Sequence, residues 1–116
     1  MIVAGFGLRA SATEAGLRAL LGDVRPGALA VVADKAGHLG LVALAKRLGV
    51  PLCAVPVAAL VAGVTPAPRQ PARYGAMSVA EGAALAAAGP GAVLIAPRII
   101  AIDGRATMAL AKRNPL

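Results

Sequence analysis

Three stretches of this chain carry residues whose types and spacing could do chemistry. The first, Gly5-Phe6-Gly7-Leu8-Arg9-Ala10, follows an apolar run and leads into Ser11-Ala12-Thr13-Glu14. A strand passing through glycines into a helix start offers free backbone N–H groups, the positive end of a helix and, here, a guanidinium. That corner suits an anion. The second stretch is Asp34-Lys35 with His38, after another apolar run, and the third is Ser78-Val79-Ala80-Glu81, followed later by Arg98.

Each stretch has more than one reading. The first matches G-x-G-x-x-[GA], and Asp34 lies where a ribose-binding acid would stand in a dinucleotide site. Against that, Ser11-x-x-Glu14 reads as a capping box, which starts the helix after the whole motif rather than within it. Lys35 follows Asp34 directly, and the chain has no room for a second nucleotide half. No nicotinamide, flavin or other cofactor is therefore expected. Gly5 and Gly7 either permit a tight turn or present their amides to a ligand. His38, the sole histidine, can be a general base, a ligand or a helix-start residue, and without a second histidine no metal site is expected. Ser78 and Glu81 could be nucleophile and acid, but a second capping box accounts for both. With five acids in the chain, general bases are scarce, so His38 and Glu81 stand as the candidates for moving protons.

Composition narrows the ligand. The 116 residues carry a net charge of +7, are 59% hydrophobic and only 2% aromatic. Such a balance attracts polyanions without naming one. Nucleic acid is not expected, because the cations are scattered and only Phe6 and Tyr74 could stack on bases. Cys53 is alone, which leaves no disulfide framework or thiolate cluster and suggests a buried, inert thiol. Residues 48–68 carry no charge, but Pro51, Pro56, Pro66 and Pro68 break the run, so a membrane span is not expected. The first apolar run lacks a basic n-region and is too short for a signal peptide, so a cytoplasmic protein of one domain, residues 1–116, is the expectation.

The elements that must position these residues follow from apolar periodicity. Strands are predicted at 2–6, 28–33, 52–55 and 92–96, and helices from Ser11, over 38–48, over 56–62 and from 78 to 88. A Pro- and Arg-rich loop fills 63–76. Residues 99–102 and 105–111 flank Asp103-Gly104, a two-residue hairpin signal. The pattern predicts an α/β fold: a three-layer α/β/α sandwich with a mainly parallel sheet of about five strands and a C-terminal antiparallel hairpin. Ligands of such sheets bind at strand carboxyl ends. Arg9, Lys35 and Arg98 converge there, after the first, second and fourth strands.

Taken in order, Gly5-Phe-Gly7-Leu-Arg9 with Ser11 and Glu14, Ala33-Asp-Lys35, Leu44-Ala-Lys-Arg-Leu48-Gly-Val-Pro51-Leu52, Ser78-Val-Ala-Glu81 and Leu94-Ile-Ala-Pro97-Arg98 resemble the CobE / CbiG C-terminal family of cobalamin biosynthesis. The resemblance covers nearly the whole chain. In CbiG the family forms the C-terminal part of a protein that opens the lactone of cobalt-precorrin-5A and releases acetaldehyde. CobE is its free-standing form, which a chain of 116 residues resembles. The resemblance implies Gly5, Gly7, Arg9, Ser11, Lys35, Ser78 and Arg98 as ligand-binding positions, with Glu81 a recurrent polar site. It implies a precorrin or other corrin intermediate as partner, bound or handed on through its carboxylates. Hydrolytic lactone opening, with His38 or Glu81 moving protons, is the alternative; a structural partnership with a corrin-ring methyltransferase is a second. Where the family has an acidic pair after the lysine, this chain has Gly37-His38.

Overall fold

The apolar runs assemble into one sheet. The computed structural model describes residues 1–113, with strands β1 (Ile2–Leu8), β2 (Ala28–Val32), β3 (Leu52–Val55), β4 (Ala92–Ile100) and β5 (Ala106–Arg113). Three helices connect them: α1 (Glu14–Leu21), α2 (Leu39–Leu48) and α3 (Val79–Ala88). Sheet order is β3-β2-β1-β5-β4, with β1, β2 and β3 parallel and β5 antiparallel to both β1 and β4. The expected three layers form. Leu17 and Leu21 of α1 and Leu41 and Leu44 of α2 bury against Phe6, Leu29 and Val31 on one face. On the other, Ala83 of α3 packs with Val3, Ala28 and Ala30.

The period of two along β1 turns Val3, Gly5 and Gly7 toward α3. A Cβ on Gly5 would stand 2.2 Å from the Ala80 carbonyl oxygen and 2.6 Å from the Ala84 nitrogen. Glycine at that position lets the α3 backbone lie directly on the strand, and the alanines of α3 complete the close fit. This corrects the reading of the glycine motif. Gly5 and Gly7 lie inside β1, paired with Ala109 and Thr107 of β5, and neither has a positive φ. Neither stands in a turn, and Gly5 serves the packing of α3 on the sheet.

Other expectations change with the local geometry. Helix α1 starts at Glu14, not Ser11: Thr13 is the cap, its hydroxyl accepting from Gly16 N–H at 3.1 Å. Ser11 is left exposed in the preceding turn, and Glu14 turns to Arg47 of α2 and Arg18 of its own helix instead of back to the cap. The stretch 56–62 makes only a single 3₁₀ turn, Val57–Ala59. The segments 92–96 and 99–102 are mostly one long edge strand, β4, which runs through Pro97. At a sheet edge proline's missing N–H leaves no ladder bond unmade on the paired side. The hairpin connection spans residues 101–105 rather than two, closed by Ala101 N–H to the Ala106 carbonyl at 2.9 Å, with Gly104 at φ +72°. Cys53 sits half-buried on edge strand β3 rather than deep in the core.

Gly5→Ala should therefore destabilise the protein by about 3 kcal/mol, since helix backbone must move to admit the methyl. Gly37→Ala, where an added Cβ meets nothing within 4 Å, should change stability by no more than about 0.5 kcal/mol. Urea unfolding of the two variants beside the parent measures both.

Candidate functional site

An open cleft of about 900 Å³ lies at the carboxyl ends of β1 and β2, where the strand-end rule places a ligand. Five cations line it: Arg9 after β1, Lys35 in the 3₁₀ turn after β2, Arg69 in the 63–76 loop, Arg98 in β4 and Arg105 just before β5. No acidic side chain lines it among the described residues. Its floor is apolar and closely packed, with Val32, Ala67, Val79 and Ala106 all buried. Of the five cations, Arg105 alone has an acidic partner among the described residues, Asp103 at 4.0 Å. A basic rim over an apolar floor matches a ligand with an apolar body and several carboxylates.

Arg98 is the most constrained of the five. Opposite β5, Ala96 pairs with Leu110 but Ile99 with Met108, so β4 carries an extra residue between them. The bulge frees the Arg98 N–H from the ladder, and it donates to Glu81 Oε2 at 2.8 Å. The side-chain Nε is buried and has no partner among the described residues. An unmade buried donor on a charged group is costly.

The 63–76 loop forms an ordered wall. Pro66 bridges Met77, and Ala67 N–H reaches the Ala76 carbonyl at 2.8 Å. Gln70 ties the interior, donating to the carbonyls of Gly75 and Met77 and accepting from Val79 N–H at the start of α3. Tyr74 donates to Asp34 at 2.8 Å, and Arg73 adds bonds to both Asp34 and the tyrosine oxygen. The Tyr74 bond, with help from Arg73 and despite partial burial, holds the Asp34 carboxyl below its ordinary value. Burial and the Asp34 bond push the Tyr74 hydroxyl up. Asp34 thus docks the loop to the end of β2, and it does not line the cleft.

The two proton-transfer candidates are also engaged. Ser78 caps α3 as expected, accepting from Glu81 N–H at 3.2 Å. The reciprocal half of that capping box is absent, because Ser78 N–H goes to the Thr65 carbonyl. The Glu81 carboxylate, at 0% exposure, instead accepts from Val64 N–H, Thr65 N–H, the Thr65 hydroxyl and Arg98 N–H. Desolvation alone would raise this carboxyl, but the bonds from Thr65, Arg98 and Val64 outweigh it and hold it below its ordinary value. His38 caps α2, its Nδ1 accepting from Leu41 N–H at 3.3 Å, and its Nε2 lies 3.1 Å from the Arg9 carbonyl oxygen. Neither residue lines the cleft.

Of the sequence-predicted ligand positions, Gly7, Arg9, Lys35, Ser78 and Arg98 come together around the cleft, while Gly5 and Ser11 do not. The strand-end rule does not reach Arg69 or Arg105. A signal for Arg69 is its place among the prolines of the long loop. Arg105 has none, since only the insertion of β5 beside β1 brings it to Arg9. No helix among the described residues is long and apolar enough to cross a membrane, and none of them form a group of three or more His, Cys, Asp or Glu fit for a metal ion.

The sequence pattern described as "Cobalamin synthesis G C-terminus" matches residues 2–111. Among solved structures, the cobalamin biosynthesis protein chiG from Agrobacterium tumefaciens str. C58 is 31% identical, with a TM-score of 0.74 over 99% of this chain and 100% of that one. CobE, a protein from the cobalamin (vitamin B12) biosynthetic pathway, is 30% identical, with a TM-score of 0.77 over 98% of this chain and 91% of its own. A cobalamin biosynthesis protein G homologue from Sulfolobus solfataricus shares the fold at 21% identity and a TM-score of 0.71; this chain spans 37% of its length. No curated protein matches the chain.

The engagement of Glu81 has a measurable sign. Its folded carboxyl titrates below the unfolded one, so its stabilisation is present above pH about 4.3 and lost as pH falls through the lower folded value. Glu81→Gln should cost about 2–4 kcal/mol at neutral pH, because an amide nitrogen would face donors. The gap between parent and variant should narrow as pH falls below the ordinary glutamate value and through the lower folded one, as read by urea unfolding across pH.

Proposed function

Because this chain belongs to the cobalamin synthesis G C-terminus family, we propose that it binds or hands on a polycarboxylate precorrin intermediate of corrin biosynthesis. The observation that carries this reading is the cleft, in which five cations stand over an apolar floor with no acid among the described lining residues. A precorrin offers the complement, a broad apolar macrocycle fringed with acetate and propionate carboxylates. In this reading Arg9, Lys35 and Arg98 hold carboxylates as the strand ends suggested, and Arg69 and Arg105 extend the rim. Arginine takes a carboxylate through two parallel hydrogen bonds, so the fringe is gripped and the ring is left to lie on the floor. Gly7 contributes closeness of backbone, and Ser78 its buried hydroxyl beside the floor.

Lactone opening has less support. It would need a proton carrier in the cleft, and the bonds made by His38 and Glu81 commit both residues elsewhere. A protein that holds the intermediate for a corrin-ring methyltransferase is compatible with the same cleft.

Titration with hydrogenobyrinic acid, followed through the macrocycle's absorbance, is expected to show saturable binding that weakens with salt. Arg9→Ala and Lys35→Ala should each weaken it about tenfold, the worth of one charge-assisted contact. No spectral change at high micromolar ligand would overturn the reading, and acetaldehyde released from cobalt-precorrin-5A would replace it with the hydrolytic one.

A further inference from the structure

We propose that His38 is a positioning residue of the cleft: it holds the Arg9 corner through the Arg9 carbonyl and thereby sets where that guanidinium stands. The proposal rests on the cleft being a carboxylate site, and deepens it. Helix α2 has no acidic residue in its first turn, and the His38 ring is the cap side chain that accepts from one of its N-terminal N–H groups, that of Leu41. Nδ1 faces Leu41 N–H and must accept, which places the ring proton on Nε2. Nε2–H then donates to the Arg9 carbonyl oxygen at 3.1 Å.

The same carbonyl accepts Ala12 N–H at 3.0 Å, and Arg9 N–H reaches the Arg105 carbonyl at 2.9 Å. Residue 9 is thus tied on one side to the start of β5 and on the other to α2, although its own side chain is exposed. The ring is also fixed in place. A Cβ on Gly40 would stand 3.2 Å from His38 Cε1 and 3.0 Å from Glu14 N, so the first turns of α1 and α2 close tightly beside the imidazole. Arg9, Ala10 and Ser11 are otherwise an exposed turn. Without His38, the Arg9 carbonyl would keep only the local turn bond from Ala12 N–H and lose its tie to α2.

Asparagine separates the two tasks of the residue. In His38→Asn the side chain still caps α2 but is too short to reach the Arg9 carbonyl. The variant should melt close to the parent while binding hydrogenobyrinic acid roughly threefold to tenfold more weakly, the worth of one hydrogen bond. His38→Ala should lose both thermal stability and affinity. In an Arg9→Ala background His38→Asn should change affinity by less than about twofold, because the group it positions is gone. Parental affinity in His38→Asn, or a full effect persisting without Arg9, would overturn the proposal. Two ligand-free readings keep it separate from the function. Long-range nitrogen–proton NMR should show a ring protonated at Nε2, and the Ala12 amide should exchange faster in His38→Asn. A ring protonated at Nδ1, or unchanged Ala12 exchange, would overturn the positioning role even if the parent binds. If the parent binds nothing while both NMR results hold, the positioning stands and the carboxylate reading falls.

Discussion

The rest of the structure hangs on one buried carboxylate. Among the described residues no cationic side chain pairs with Glu81; four donors from three residues hold its charge, two of them from Thr65. Burying a carboxylate without such donors would be prohibitive, so the donors must be delivered to it. Gly63 makes room, since a Cβ there would be 2.3 Å from Glu81 Oε1, and the chain can pass close enough to present the N–H groups of residues 64 and 65. The bulge in β4 presents the third, from Arg98. The start of the long loop, the first turn of α3 and the edge of the sheet are thereby fixed relative to one another. These are the segments that frame one side of the cleft.

A second cluster fixes the other side. Tyr74, Asp34 and Arg73 bind the far end of the loop to the end of β2, with the Arg73 guanidinium 4.5 Å from the tyrosine ring centre. The loop therefore has two anchors, one on each side of the parallel sheet's carboxyl end. The cations that line the cleft are spared from internal pairing because other residues do the tying. Asp34 takes Arg73 and Glu14 takes Arg47, and Glu81 takes backbone, leaving most of the cleft cations unmatched among the described residues.

Much of this is legible in the sequence, and the misses have physical causes. Alternating apolar runs and helix stops locate the strands of the α/β core, and the strand-end rule brings Arg9 and Lys35 together; Arg98 joins them from within β4, which runs past the expected end at Ala96 to Ile100. Local signals fail where several residues compete for one task. Ser11 and Thr13 both suit a helix cap, and the better-placed hydroxyl, on Thr13, takes it. The glycine motif has the same letters whether it opens to a phosphate or admits a helix backbone; distinguishing these requires knowing that α3 crosses β1. Glu81 looks like half of a capping box because three-residue spacing is all that a sequence shows, while its true partners lie 16 and 17 residues away. Arg105 joins the cleft only because β5 inserts between β1 and β4, a long-range choice that periodicity does not encode.

The bulged edge strand has one more consequence. β4 borders the sheet and turns Val93, Ile95 and Ile99 outward at 41%, 41% and 45% exposure. A straight, apolar edge of nine residues invites another chain to add a strand, the first step toward aggregation. Pro97 removes one donor from that edge, and the two register shifts bend it out of line. The irregularity that hands the Arg98 N–H to Glu81 therefore also guards the sheet border, so straightening β4 by mutation would give up that bond for a sticky edge.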